Sequence, residues 1–93
     1  MNTVIIDDDL KSRKLLTYML SKHKEINIVG EASNYSSALK VIKEKKPDAL
    51  FLDVKLKQKS GFDVVSNMSQ HPKVVFVSGF DEYASKAFDF NAT

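Results

Sequence analysis

Four short apolar runs punctuate the chain, and amphipathic stretches separate them. Thr3, Val4, Ile5 and Ile6 form a brief β-branched run. Such a run suits a parallel strand buried on both faces. Acids follow at once. Asp9 can cap a helix over residues 10–23, with Leu16, Met19 and Leu20 on one face and Lys11, Lys14 and Lys22 on another. Residues 26–32 read as a second strand, bounded by Ser33 and Asn34. Ser36 or Ser37 can cap a second helix to about residue 45, with Ala38, Val41 and Ile42 buried, and Pro47 blocks its continuation. Ala49, Leu50, Phe51 and Leu52 make a third strand that ends at Asp53. A polar loop closes on Ser60 and Gly61. A short helix over 62–68 stops before His71 and Pro72. Residues 74–77 form a fourth strand ending at Ser78 and Gly79, and Asp81 can cap a helix over 82–90.

The β-α unit thus repeats four times. Doubly apolar strands separated by helices predict an α/β fold, an open parallel sheet with helices on both faces. No internal linker, repeat or low-complexity segment divides residues 1–93, so one domain is expected.

Composition narrows the setting. Fourteen basic and twelve acidic residues leave a net charge of +2, too small to argue for a nucleic-acid or membrane surface. Lys43, Lys45, Lys46, Lys55, Lys57 and Lys59 read as a solvated rim. The chain has no cysteine, which excludes disulfides and thiolate metal sites. Residues 1–9 do not read as a signal peptide, and no apolar run is long enough to span a bilayer. The expected location is cytoplasmic.

In an open α/β sheet, ligands bind beyond the carboxyl ends of the strands. That rule selects Asp7 and Asp8 after the first strand, Asp53 at the third, and Ser78 and Gly79 at the fourth. Three crowded carboxylates repel one another, and a divalent cation relieves them. Mg2+ suits the set, since it is hard, prefers oxygen and keeps waters and phosphate oxygens as further ligands. Beside it a carboxylate can act as nucleophile toward a phosphoryl group.

These residues resemble the receiver domain of two-component response regulators. Val4 to Asp9 is similar to the family's first strand and acidic pair, and Phe51-Leu52-Asp53 to its phospho-acceptor strand. Ser60-Gly61-Phe62 resembles the end of the following loop, and Val75 to Gly79 the hydroxyl-bearing fourth strand. Phe80-Asp81-Glu82-Tyr83-Ala84, Lys86-Ala87-Phe88 and Asn91-Ala92 are similar to the LytTR-type subgroup.

The resemblance implies a flavodoxin-like fold of strand order 2-1-3-4-5, of which this chain holds (βα)4 of a (βα)5 receiver. It implies phosphorylation of Asp53 by a sensor histidine kinase. Mg2+ would be bound by Asp8 and Asp53 and by the backbone carbonyl of Lys55, with Asp7 supporting the metal directly or through water. Ser78, followed by Gly79, would bond a phosphoryl oxygen and report the modification. Gly61 would give the turn before the third helix its freedom. The signalling role implied is that of a transcriptional regulator's input module, not of an enzyme.

Two departures stand out. Lys55, Lys57 and Lys59 occupy a loop where the family often has Met-Pro-Gly, and Lys57 takes the proline position. The chain also ends at Thr93, before the fifth strand, its phosphoryl-pairing lysine, the fifth helix and any DNA-binding domain. The chain is therefore expected to be a receiver fragment that makes no direct nucleic-acid contact. Its fourth strand would be an open edge and the sheet face normally under the fifth helix an open apolar patch, and a homodimer or larger assembly would follow.

Rival readings are weaker. A haloacid-dehalogenase-type Mg2+ phosphatase would use Asp7 and Asp9 but leaves Asp53 without a task. A receiver-like interaction module would bind partners without phosphorylation. Nucleotide binding fails for want of a glycine-rich loop, since the glycines are only at 30, 61 and 79. His23 and His71 stand at element ends, and Tyr83, Phe88 and Phe90 read as packing residues of the fourth helix.

Overall fold

A computed structural model of the chain describes residues 1–56 and 59–77, together with the backbone of 87–89. Four parallel strands form the sheet: β1 (Asn2–Ile6), β2 (Asn27–Ala32), β3 (Ala49–Asp53) and β4 (Lys73–Val77). A fifth, β5 (Ala87–Asp89), completes the order β2-β1-β3-β4-β5. The helices are α1 (Leu10–Leu20), α2 (Tyr35–Lys45) and α3 (Gly61–Asn67).

Strand residues alternate between two faces, and each face has its own core. Val4, Ile6, Leu50, Leu52, Val74 and Phe76 meet Ala38 and Ile42 of α2 and Val64 of α3. On the opposite face Ile5 meets Leu16 and Leu20 of α1, with Ile26, Ile28 and Phe51 packed alongside. Val4, Ile5, Ile6, Leu50 and Leu52 are all fully buried. The doubly apolar runs therefore are central strands covered on both sides, as a parallel sheet requires.

The helix starts follow capping chemistry. Asp9 caps α1 by accepting from the Ser12 N–H and hydroxyl, as expected from the sequence. The cap of α2 is Asn34, not Ser36 or Ser37. Ser37 is the other half of a capping box, with its N–H donating to the Asn34 side chain at 2.8 Å. Ser60 caps α3 through a like box with Asp63. α1 stops at Leu20, short of His23, and Met19 is exposed rather than buried with Leu16 and Leu20.

The larger correction concerns the C-terminal stretch. The helix expected over 82–90 does not extend through 87–89. Ala87–Asp89 instead pairs antiparallel with β4, Val75 opposite Asp89 and Val77 opposite Ala87. Backbone pairing along an exposed strand outweighs the local helical pattern there. β4 is consequently not the open edge the sequence led us to expect. The rest of that helix and its Asp81 cap lie outside the described residues.

Candidate functional site

β1 and β3 are neighbours although they are not consecutive, so the strand order reverses between them. Their register pairs Ile6 with Leu52. The next residues, Asp7 and Asp53, thus emerge side by side at the carboxyl edge. Asp8 follows in the same turn. One carboxylate oxygen from each of Asp7, Asp8 and Asp53 lies within 4.8 Å of the others.

Main-chain groups hold two of these acids in place. The Asp9 N–H donates to Asp7 Oδ1 at 2.9 Å, and the Lys55 N–H donates to Asp53 Oδ1 at 3.2 Å. Asp7 is buried, while Asp8 and Asp53 are half-buried and open toward solvent. Asp9 belongs to the cap of α1, where the Ser12 hydroxyl holds its carboxyl below the ordinary range. The acidic run therefore divides into a site pair and a capping residue.

Electrostatics record the crowding. Burial, and then the neighbouring charge of Asp7, push the Asp53 carboxyl up to about 7, against the Lys55 N–H that lowers it. Burial, and more weakly the Asp8 charge, also raise Asp7. Three hard oxygen donors this close together, two of them kept by burial and repulsion from ionising readily, fit a small divalent cation.

Gly61 has a different task from the one expected. It is the first residue of α3 and has no positive φ, so freedom of the turn does not explain it. A Cβ at this position would collide with the Asp53 carbonyl oxygen and come within 3.1 Å of Leu52 and 3.2 Å of Phe76. The Gly61 N–H also donates to the Val54 carbonyl at 2.7 Å. Glycine is needed because α3 starts directly against the strand that carries Asp53. Nothing in the local sequence reveals that approach.

The β3–α3 loop folds back on itself, with Lys55 bridging to Ser60 and the Leu56 N–H donating to the Lys59 carbonyl at 2.9 Å. Lys59 sits over the Tyr35 ring, 5.0 Å from its centroid. Lys57, Ser78 and Gly79 lie outside the described residues.

The model of the response regulator receiver domain family matches residues 3–93. The chain belongs to the response-regulator receiver family. Membership places it in two-component phosphorelay signalling, and the likeness is to LytT regulators. This receiver is 38% identical over 95 residues to the sensory transduction protein LytT of Enterococcus faecalis, covering 99% of the chain and 39% of that protein. It thus spans about two-fifths of the curated relatives it matches. Among solved structures, the receiver domain of the putative response regulator NarL from Mycobacterium tuberculosis superposes with a TM-score of 0.75 at 31% identity. That match covers 89% of this chain and 69% of the other. The response regulator domain of Thermotoga maritima CheB shares the fold, with a TM-score of 0.74 at 20% identity over 88% of this receiver and 63% of that chain. Among the described residues, no helix is long and apolar enough to cross a membrane.

Proposed function

We propose that this receiver accepts a phosphoryl group on Asp53 in the presence of Mg2+. The observation that carries the reading is the meeting of Asp7, Asp8 and Asp53 oxygens within 4.8 Å at the carboxyl edge of adjacent strands. Asp8 and Asp53 would hold the ion through their carboxylates and Lys55 through its carbonyl, with Asp7 in support. When bound, Mg2+ supplies the positive charge that lets a phosphoryl donor approach an anionic site. Asp53 supplies the nucleophilic oxygen, and its half-buried placement leaves one side open to the donor. The Lys55 N–H fixes one oxygen of that carboxylate and so limits its rotation. Ser78, followed by Gly79, would receive the transferred group's oxygen.

A sensor histidine kinase is the donor this reading requires, and the setting is cytoplasmic. Residues 1–93 would be the input portion of a longer LytTR-type regulator whose following segments bind DNA. The coverage of LytT supports this division. A phosphatase reading finds no support in the geometry, because it leaves Asp53 idle while the carboxylate stands inside the acidic cluster. The receiver acts as substrate of a kinase rather than as an enzyme with its own turnover. It would also associate with a second copy of itself, through the exposed Leu15 and Met19 side chains of α1.

The test is Mg2+ titration by calorimetry, with intact-mass analysis after exposure to acetyl phosphate. Asp53→Asn is expected to weaken Mg2+ binding at least about tenfold and to abolish any Mg2+-dependent gain of phosphoryl mass. Undiminished Mg2+ binding in both Asp8→Asn and Asp53→Asn would refute the assignment.

A further inference from the structure

Arg13 lies outside the acidic cluster, and the family reading gives it no role. It stands early in α1, where its N–H donates to the Asp9 carbonyl at 3.0 Å. A cation near a helix N-terminus opposes the helix dipole, so helix stability does not explain it. Its side chain is only 15% exposed. A guanidinium held that far from water needs partners of fixed geometry.

It has two. Nη1 donates to the Asp7 carbonyl oxygen at 2.7 Å, and Nε pairs with Glu31 Oε1 at 3.2 Å. The Asp7 N–H, on the other side of the same residue, donates to the Ala32 carbonyl at 3.0 Å. Glu31 and Ala32 are the last two residues of β2. Asp7 is therefore gripped at both its backbone polar groups, directly by β2 and through Arg13 by β2 and α1 together.

We propose that Arg13 is a positioning residue for the metal site. It fixes the main chain where β1 passes into the acidic turn, and with it the directions in which the Asp7 and Asp8 carboxylates leave the backbone. The bond goes to a carbonyl, not to a carboxylate, so Arg13 orients the acids without neutralising them. A cation pairing with Asp7 or Asp8 directly would compete with the metal. One bound to the peptide oxygen does not. The planar fork of arginine suits this task, since one edge can reach Asp7 while Nε engages Glu31.

This inference rests on the Mg2+ reading of Asp7, Asp8 and Asp53, and the experiment separates the two. Mg2+ affinity is measured by calorimetry, and thermal unfolding is followed in EDTA, for the wild type, Arg13→Met, Arg13→Lys, Glu31→Gln and Ile42→Val. Methionine keeps an apolar stem in the same space and removes the donors. Arg13→Met is expected to raise the Mg2+ Kd about tenfold. Arg13→Lys, which retains one donor for the Asp7 carbonyl, should recover most of that loss, and Glu31→Gln should stay within about twofold of wild type. Ile42→Val loosens the core beneath α2 and should lower the melting temperature while leaving the Kd unchanged. An unchanged Kd in Arg13→Met overturns the proposal, and so does a rise in Ile42→Val that matches its loss of fold. A wild-type protein that binds no Mg2+ brings down the metal reading and this one with it.

Discussion

Asp53 stands inside the acidic cluster, and its surroundings set a pH dependence of definite sign. In the unfolded chain its carboxyl titrates near 3.8, while in the folded protein burial and the Asp7 charge hold it up to about 7. Between those values the folded state binds the extra proton. The contribution to stability is complete below the lower value and is lost as pH rises through the upper one. Asp7 is shifted in the same direction. The denaturation midpoint of metal-free protein is therefore expected to fall between about pH 5 and about pH 8, and Asp53→Asn should flatten that slope. Mg2+ should stabilise more strongly at the alkaline end, because its ligands must be deprotonated. Denaturant titrations in EDTA and in Mg2+ across this range check both statements, and a midpoint that rises with pH in EDTA would contradict them. The three aspartates could be read from the sequence because each follows an apolar run, and runs of that kind end at one edge of the sheet. Gly61 draws the wrong expectation from the sequence, turn freedom, and Arg13 draws none. Their reasons, the Asp53 carbonyl and the Asp7 carbonyl, are contacts between segments that only the folded chain brings together.

Helix starts show how far local pattern reaches. Asp9 was identifiable as the cap of α1 because it immediately precedes the amphipathic stretch. For α2 the serines at 36 and 37 drew the boundary inward, whereas Asn34 accepts the Ser37 N–H and Ser37 returns a bond from its hydroxyl to the Asn34 backbone. Asn34→Ala should cost about 1 kcal/mol of stability, measurable by denaturant unfolding. Ser36→Ala should cost almost nothing. An equal effect of the two would place the cap wrongly. β5 marks the limit of such reasoning. The stretch 82–90 has the local look of a helix, yet residues 87–89 pair with β4. Strand pairing depends on a partner distant in sequence, and no short window contains it.

The two sides of the sheet are covered unequally. α2 and α3 together close the face that holds Leu50, Leu52, Val74 and Phe76. Among the described residues only α1 lies on the other face, centred over Ile5. Burial accordingly declines outward, from Ile5 at 0% to Phe51 and Val75, which are only half-buried. Leu15 at 45% and Met19 at 44% exposure extend the apolar surface along α1. Patches of this kind favour association. The protein is expected to sediment as a concentration-dependent dimer at micromolar concentrations, and Leu15→Lys with Met19→Lys should return it to a monomer. A wild-type monomer throughout would refute this. The α/β class and the parallel order were legible from the alternation of runs. The antiparallel strand that borders β4 was not, so of the two expected routes to association, the bare edge and the open apolar face, the face remains.

The pairing of Ile6 with Leu52 has a consequence for anyone who would transplant this site. Deleting a single residue between Ala49 and Leu52 would leave the composition almost untouched, yet it would turn the alternate side chains of β3 over and draw Asp53 back from Asp7. Spacing, more than the identity of the intervening aliphatics, is the inheritance a grafted acidic cluster must keep.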